Sequence, residues 1–185
     1  MSAGSPTPTV VLVGPMGAGK STVGALLAER LGLRLRDTDE DIANTAGKSV
    51  LDIFVDEGEA HFREVEATAV AAALAEHDGV VSLGGGAVLA EQTQVLLKGH
   101  TVVYLRVGVA DAVKRVGLGS GRPMLLGNVR GRIKTLLEER APIYESVAGF
   151  AVDTDGRSAE EVTAEIAERL AEQDPAAAGK VEETR

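Results

Sequence analysis

Residues 14–21 have the types and the spacing needed to bind phosphate groups. They read Gly-Pro-Met-Gly-Ala-Gly-Lys-Ser, a full match to G-x-x-x-x-G-K-S between an apolar run and a helix-like segment. Glycines there let successive backbone N–H groups converge on phosphate oxygens, and the start of a helix adds the positive end of its dipole. In this motif the lysine reaches the β- and γ-phosphates and the serine hydroxyl binds Mg²⁺.

We therefore predict a site for a nucleoside triphosphate and Mg²⁺ at this loop. The alternative, a glycine-rich turn without a ligand, fits such a long match poorly. The motif does not identify the group that accepts the phosphate. The predicted contacts within the loop are Gly17, Ala18, Gly19, Lys20, Ser21 and Thr22.

Two carboxylates follow the second apolar run of the chain. Asp37 and Asp39 flank Thr38 where a parallel strand would end, which is where ligands gather in open α/β sheets. Alternating positions on a strand would direct both toward the phosphate loop. One could help to hold hydrated Mg²⁺ while the other accepts the proton of an attacking hydroxyl. A structural alternative is that Asp39 caps a helix that begins near Glu40.

Three consecutive glycines, Gly84, Gly85 and Gly86, follow the third apolar run. Three glycines in a row cost backbone entropy, and a plain tight turn would need fewer. We therefore expect a ligand or another backbone to approach closely at this segment. P-loop proteins usually carry a metal-binding aspartate at the end of such a strand, and no acid ends this run. Ser82 or Asp37 would therefore have to help bind the metal.

Arg63 and Arg140 are candidate anion-binding residues, and each also has a structural interpretation. Arg63 has Glu59 at i−4 and Glu66 at i+3, which would form an ordinary ladder of surface ion pairs on a helix. Arg140 precedes an Ala-Pro pair, where we expect a helix to end and a cation to complement its dipole.

Residues 117–127 contain four glycines and one proline between two helical patterns, which predicts a mobile loop. Arg122 is carried on this loop. An arginine in such a loop can close over the charge that develops on a transferred phosphoryl group. The alternative is a solvated loop residue.

Short apolar runs alternate with helical patterns, which predicts βαβ units and a parallel sheet covered on both faces. The expected strands are 10–13, 33–36, 80–83, 101–107 and 150–152. Residues 39–76 are long for a crossover and are broken at Gly47 and Gly58, so we expect a small helical subdomain over one edge of the sheet. A final helix from about Ala159 to Glu172 would begin with a capping box formed by Ser158 and Glu161.

The composition excludes several classes of protein. With 185 residues the chain fits one domain, and its net charge of −9 disfavours a nucleic-acid-binding surface. The absence of cysteine rules out disulfides, thiolate metal sites and a cysteine nucleophile. No apolar run approaches the roughly 18 residues of a membrane span. We expect a monomeric, cytoplasmic protein with one P-loop domain at 9–172, a flexible start at 1–8 and a disordered tail at 173–185.

In their order and spacing, these motifs resemble those of the shikimate kinase family over about residues 10–170. The matching segments are 14–22, 37–39, 52–54, 58–66, 84–86, Arg122-Pro123-Met124-Leu125 and Arg140-Ala141-Pro142-x-Tyr144. The resemblance implies a P-loop fold like that of nucleoside monophosphate kinases, with a five-stranded parallel sheet and a mobile lid at 117–127. It also implies phosphorylation of the 3-hydroxyl of shikimate by ATP with Mg²⁺.

The same resemblance implies roles for individual residues. Asp39 would deprotonate the attacking hydroxyl, and Arg63 and Arg140 would pair with the shikimate carboxylate. The acceptor-binding subdomain would span about 38–66, and Gly84, Gly85 and Gly86 would complete the acceptor site. Lys20 and Arg122 would contact the ATP phosphates, Ser21 would bind Mg²⁺ with Asp37 and Ser82 acting through water, and Arg115 and Arg157 would lie at the adenine.

Two other functions are open at this point. Another small-molecule P-loop kinase, acting on gluconate or a nucleoside monophosphate, would share the phosphate loop. A nucleobase pocket would need aromatic or amide groups, and the aromatic candidates near these motifs are Phe54, Phe62 and Tyr144. A nucleotide-gated binding module would bind ATP without turnover, and replacement of Asp39 by Asn would then have no catalytic consequence.

Overall fold

One parallel sheet organises the residues that the computed structural model describes, 7–117 and 128–173. Its strand order is β2-β3-β1-β4-β5. The strands are β1 (Val10–Val13), β2 (Leu35–Asp37), β3 (Val80–Ser82), β4 (Val102–Arg106) and β5 (Phe150–Asp153). The α-helices are α1 (Lys20–Leu31), α2 (Thr38–Ala46), α3 (Val50–Glu57), α4 (Glu59–Glu76), α5 (Glu91–Leu97), α6 (Val109–Gly117), α7 (Val129–Val147) and α8 (Ala159–Gln173), and Ala87–Leu89 form a 3-10 helix.

Strand β1 lies at the centre of the sheet, between β3 and β4. Its side chains are buried on both faces, which explains why the strand is a continuous apolar run rather than an alternating one. Val10 and Leu12 pack into a core that includes residues of α1, α6 and α8. Val11 and Val13 pack into a second core that includes residues of α4, α5 and α7. The sheet is therefore covered by helices on both faces, as predicted.

The segment between β2 and β3 forms three helices, α2 to α4, beside the edge of the sheet formed by β2. Gly47 ends α2 with φ 69° and Gly58 ends α3 with φ 86°. These positive φ values are strained for other residues, so the two glycines act as the predicted breaks. A small third core of Ile42, Ile53 and Phe62 joins the three helices.

Several sequence predictions about secondary structure need correction. Strand β2 begins at Leu35 and ends at Asp37, two residues later and one residue later than predicted, and the bounds of β3, β4 and β5 each differ from the prediction by one residue at one or both ends. Helix α7 does not end at Arg140 but continues through Pro142 to Val147. The expected dipole interaction at a helix end is therefore wrong for Arg140.

The predicted capping box of the last helix is confirmed. The backbone N–H of Ser158 donates to Glu161 Oε2 at 2.8 Å, and the N–H of Glu161 donates to Ser158 Oγ at 3.2 Å. No helix among the described residues is long and apolar enough to span a membrane. Residues 118–127 of the lid predicted at 117–127, with Arg122, lie outside the described residues, as do residues 1–6 and residues 174–185 of the tail predicted at 173–185. Gly117 and Gln173 are the last residues of α6 and α8, so the first residue of each predicted segment is helical.

Candidate active site

A cavity of about 620 Å³ lies at the carboxyl ends of β1, β2 and β3. Its lining includes two groups of residues that are far apart in the sequence. The P-loop end is formed by Gly17, Gly19, Lys20, Ser21, Thr22 and Arg115. The arginine end is formed by Asp39, Arg63, Glu66, Gly85, Gly86 and Arg140. The cavity thus brings the phosphate loop together with the acid, both arginines and two of the three glycines predicted from the sequence.

The phosphate loop has the backbone conformation that its glycines predict. Gly17 and Gly19 have φ values of 81° and 89°, which other residues rarely adopt. Gly19 is the N-cap of α1 and no side chain caps the helix there. The N–H groups of the first turn, at Lys20 to Thr22, therefore have no partner within the helix and can bind an anion. Lys20 Nζ donates to Pro15 O at 3.0 Å.

Asp37 links the phosphate loop to the start of α2. Ser21 Oγ donates to Asp37 Oδ2 at 2.9 Å, and Asp37 Oδ1 accepts from the backbone N–H of Asp39 at 2.9 Å and of Glu40 at 3.4 Å. Asp37 is therefore the N-cap, and the interpretation of Asp39 as a cap is wrong. Because α2 begins at Thr38, Asp39 lies in a helical turn, and its exposure to the cavity does not come from strand alternation.

Arg63 pairs with a buried carboxylate rather than with a surface ladder. Its Nη1 lies 2.7 Å from Glu66 Oε1, and Glu66 is only 3% exposed. Glu59 is 3.6 Å away and exposed. Burial raises the pKa of Glu66, while Arg63 and, more weakly, Arg140 oppose that shift and Asp39 adds to it. The interpretation of Arg63 as part of a ladder of surface ion pairs is therefore wrong, because its shorter pair is with the buried Glu66.

Arg140 reaches the same cavity from α7 and is 7% exposed. Tyr144 lies one turn further along the helix, where the nearby Arg140 opposes the effect of burial on the pKa of the Tyr144 hydroxyl. Burial raises the pKa of Tyr144 to about 12, so its hydroxyl stays protonated. The arginine end thus holds two guanidinium groups and two carboxylates, of which Arg140 and Glu66 are buried while Arg63 and Asp39 are half-buried. Charge interactions of the buried pair are stronger than at a surface.

Two of the three glycines, Gly84 and Gly86, make room for side chains of the arginine end. A Cβ at Gly84 would lie 2.6 Å from Asp39 Oδ1 and 3.0 Å from Glu66 Oε2, and a Cβ at Gly86 would overlap the guanidinium of Arg63. Gly84 itself does not line the cavity. None of the three has a positive φ. Close approach, as predicted, explains them: protein side chains approach Gly84 and Gly86, and the backbone of the phosphate loop approaches Gly85.

The residues predicted at the adenine are placed differently from one another. Arg115 lines the cavity and donates to Gly17 O at 3.0 Å and to Thr154 O at 2.8 Å. Arg157 does not line the cavity, and it donates to Asp153 O and to Glu165 Oε2. Ala18 is buried and is also absent from the lining.

Sequence reasoning missed the role of Glu66. The sequence analysis gives Glu66 as a surface ion-pair partner of Arg63. However, Glu66 follows Phe62 by four residues, which places both side chains on one face of the helix. Phe62 and Glu66 are both buried. The apolar stripe of α4 contained the signal, because a charged residue within such a stripe needs a buried partner.

The comparisons with known proteins agree with this geometry. The family model for shikimate kinase matches residues 16–171. A shikimate kinase of Salinispora arenicola is 59% identical over 164 residues, which are 89% of this chain and 98% of that protein. A shikimate kinase from Acinetobacter baumannii, solved in complex with shikimate, has a TM-score of 0.87 at 33% identity, covering 91% of this chain and 95% of that one.

A more distant structure shares the fold alone. Deoxyadenosine kinase from M. mycoides with bound dATP has a TM-score of 0.58 at 19% identity, covering 87% of this chain and 98% of that one. The fold is therefore that of small P-loop kinases, and the five-stranded parallel sheet is confirmed. The family match over most of the chain and the identity to curated members identify it: this chain belongs to the shikimate kinase family.

Proposed function

We propose that this protein transfers the γ-phosphoryl group of ATP to the 3-hydroxyl of shikimate and produces shikimate 3-phosphate. One observation carries the proposal: Lys20 and Ser21 of the phosphate loop line the same cavity as Asp39, Arg63 and Arg140. A phosphoryl donor and a hydroxyl acceptor must meet within a few ångströms for in-line transfer. A cavity that joins a phosphate site to a cationic pocket with a carboxylate meets this need.

The arginine end fits a small polyol that carries a carboxylate. Two guanidinium groups, of Arg63 and Arg140, can each form paired hydrogen bonds with a carboxylate, and their partial burial strengthens them. Asp39 would orient the attacking hydroxyl and accept its proton. Segment 38–66 thus supplies two of the proposed acceptor-binding groups, Asp39 and Arg63, from α2 and α4.

The P-loop end fits the triphosphate of ATP. The first turn of α1 offers backbone N–H groups, and the ammonium of Lys20 would contact the β- and γ-phosphates. We also propose that Ala18, Thr22, Arg115 and Arg157 contribute to ATP binding. Arg122, together with the lid that it occupies, is proposed to stabilise the charge of the transferred group.

Ser21 and Asp37 suit Mg²⁺. Their oxygens are hard ligands, and the two side chains are already in contact at 2.9 Å. Within residues 7–117 and 128–173 no cluster of three or more acidic, histidine or cysteine side chains could hold a metal. Few protein ligands are what Mg²⁺ requires, because it keeps several waters and binds substrate phosphates. When bound, it would neutralise charge on those phosphates, and chelation with EDTA should abolish turnover until Mg²⁺ is restored.

A coupled assay of ADP release tests the proposed acceptor. Shikimate, gluconate and nucleoside monophosphates would be compared at equal concentrations with Mg·ATP. We expect release with shikimate to exceed that with every other acceptor by orders of magnitude. Preference for gluconate or a nucleotide would refute the proposed acceptor, and ATP binding without release under any condition would favour a binding module.

A monomeric state and a cytoplasmic location stay predictions. The groups proposed for the transfer step among the described residues, Lys20, Ser21, Asp39, Arg63 and Arg140, line one cavity of one chain, so this chemistry does not require a second copy. Light scattering after gel filtration would measure the mass, and a dimer would contradict the first prediction. Fractionation of producing cells would test the second.

A further inference from the structure

Two buried hydroxyl groups contact the segment Gly84–Gly86, which we call the glycine loop. Thr38 Oγ1 accepts from the N–H of Gly84 at 3.2 Å and donates to Ser82 O at 3.4 Å. The hydroxyl of Tyr144 donates to Gly85 O at 2.5 Å. Thr38 is 0% and Tyr144 is 1% exposed. These hydroxyls come from α2 and α7, and neither takes part in the chemistry proposed above.

The position of the glycine loop affects several groups of the arginine end. At Gly84 the space that a Cβ would need is taken by Asp39 and Glu66, and at Gly86 it is taken by Arg63. Gly85 lies against the phosphate loop, with Met16 N 3.4 Å from its Cβ position. A shift of this loop by a few tenths of an ångström would therefore press on the acid and on one arginine.

Tyr144 extends this connection to the second arginine. Its hydroxyl donates to the glycine loop, and Arg140 is four residues earlier on the same buried face of α7. Because burial keeps this phenol protonated, it retains the proton for Gly85 O. Thr38 likewise follows Asp37 and precedes Asp39 in the first turn of α2. Each hydroxyl thus joins the glycine loop to an element that carries an acceptor-binding group.

We propose that Thr38 and Tyr144 are positioning residues for the acceptor: their hydroxyls hold the glycine loop where Asp39, Arg63 and Arg140 converge. The proposal rests on the proposed function, because it assigns the acceptor to this end of the cavity. Removal of one hydroxyl leaves a buried N–H or C=O without its partner, and the loop shifts to find another. The second hydroxyl limits that shift, so each single loss is moderate.

Matched variants separate positioning from general stability. Thr38→Val keeps the shape but removes the hydroxyl, Thr38→Ser keeps the hydroxyl, and Tyr144→Phe removes the other one. With kcat and both KM values measured, we expect the KM for shikimate to rise roughly 5- to 30-fold in Thr38→Val and Tyr144→Phe. The KM for ATP should stay within about twofold, and Thr38→Ser should restore most of the loss, since its hydroxyl can make the same bonds.

Amide hydrogen exchange gives a readout that does not depend on the acceptor. The N–H of Gly84 should exchange faster in Thr38→Val than in wild type or Thr38→Ser, while α8 keeps its protection. If Thr38→Val does not fold, Tyr144→Phe carries both measurements, with faster exchange expected at Gly86 and its neighbours. If the wild-type enzyme does not phosphorylate shikimate, the proposed function is refuted, but the positioning role of the two hydroxyls is still tested by hydrogen exchange. Unchanged exchange at the glycine loop, or equal rises in the KM values for shikimate and ATP, would overturn the positioning role.

Discussion

The two ends of the cavity are built in different ways. The P-loop end comes mostly from one continuous segment, whose glycines and helix start present backbone N–H groups. The arginine end takes side chains from α2, α4 and α7 and backbone from the glycine loop, and these elements are far apart in the sequence. The proposed phosphate site is thus encoded locally, whereas the proposed acceptor site depends on long-range packing of charged side chains.

This difference has an energetic consequence. At the arginine end Glu66 is buried beside Arg63, so removing one partner leaves a charge with little water to replace it. At the P-loop end the N–H groups proposed to bind an anion belong to the first turn of α1, which is capped by glycines at both ends. Substitutions at the arginine end should therefore affect acceptor binding and stability together.

The largest expected effect is on the chemical step. Asp39→Asn should lower kcat by about 10²- to 10⁴-fold, because the amide cannot accept the hydroxyl proton, and the KM for ATP should stay near that of wild type. Asp41→Asn is a matched control on the same helix, since Asp41 pairs with Arg36 and does not line the cavity. Steady-state kinetics of both variants check this, and equal losses would contradict a specific role of Asp39.

The next effect concerns the two arginines. Arg63→Ala and Arg140→Ala should each raise the KM for shikimate about 10- to 100-fold, as expected for the loss of hydrogen bonds to a charged group. ATP binding should change little. Arg169→Ala is a control, because Arg169 stacks on Phe150 away from the cavity. Titration calorimetry with shikimate measures the affinity, and normal binding by either cavity variant would refute its assignment.

Burial of Glu66 predicts a pH dependence of stability. Its pKa is raised, so the native state holds this proton more tightly than the unfolded state does. Relative to Glu66→Gln, wild type should lose free energy of unfolding as pH rises above the ordinary glutamate range, by at most about 1.4 kcal/mol per pH unit. Urea denaturation of both proteins between pH 4 and pH 8 would measure it. A relative gain with rising pH would mean that Arg63 outweighs burial.

The smallest effect lies outside both ends of the cavity. Ser158→Ala removes the side-chain acceptor of the α8 capping box and should cost about 1 kcal/mol of unfolding free energy. Glu161, whose pKa is lowered by its hydrogen bonds with Ser158, would lose this interaction as well. Kinetic constants should be unchanged. Any rise in the KM for shikimate here would show that this KM follows general stability.

The sequence was most informative where structure is local. The phosphate loop, the breaks at Gly47 and Gly58 and the capping box of α8 each depend on residues within a few positions of one another. Fold class followed from the alternation of apolar runs and helices. The predicted end of α7 is wrong. A proline usually stops a helix, but α7 continues through Pro142 because tertiary packing stabilises it there.

The arginine end was harder to derive, because its contacts join distant segments. The i+3 spacing of Arg63 and Glu66 is the same for an exposed pair and for a buried one, and only the packing of α4 distinguishes them. The role of Thr38 was also hidden, since its partners Ser82 and Gly84 lie more than forty residues away. Resemblance to a known family supplied what spacing alone could not.

A crystal structure with shikimate and ADP would test the central claim most directly. We expect the shikimate carboxylate to lie within hydrogen-bonding distance of both Arg63 and Arg140. Its 3-hydroxyl should contact Asp39 and face the phosphates above Lys20. A shikimate molecule bound away from these three side chains, with ADP at the phosphate loop, would contradict the account and leave only nucleotide binding.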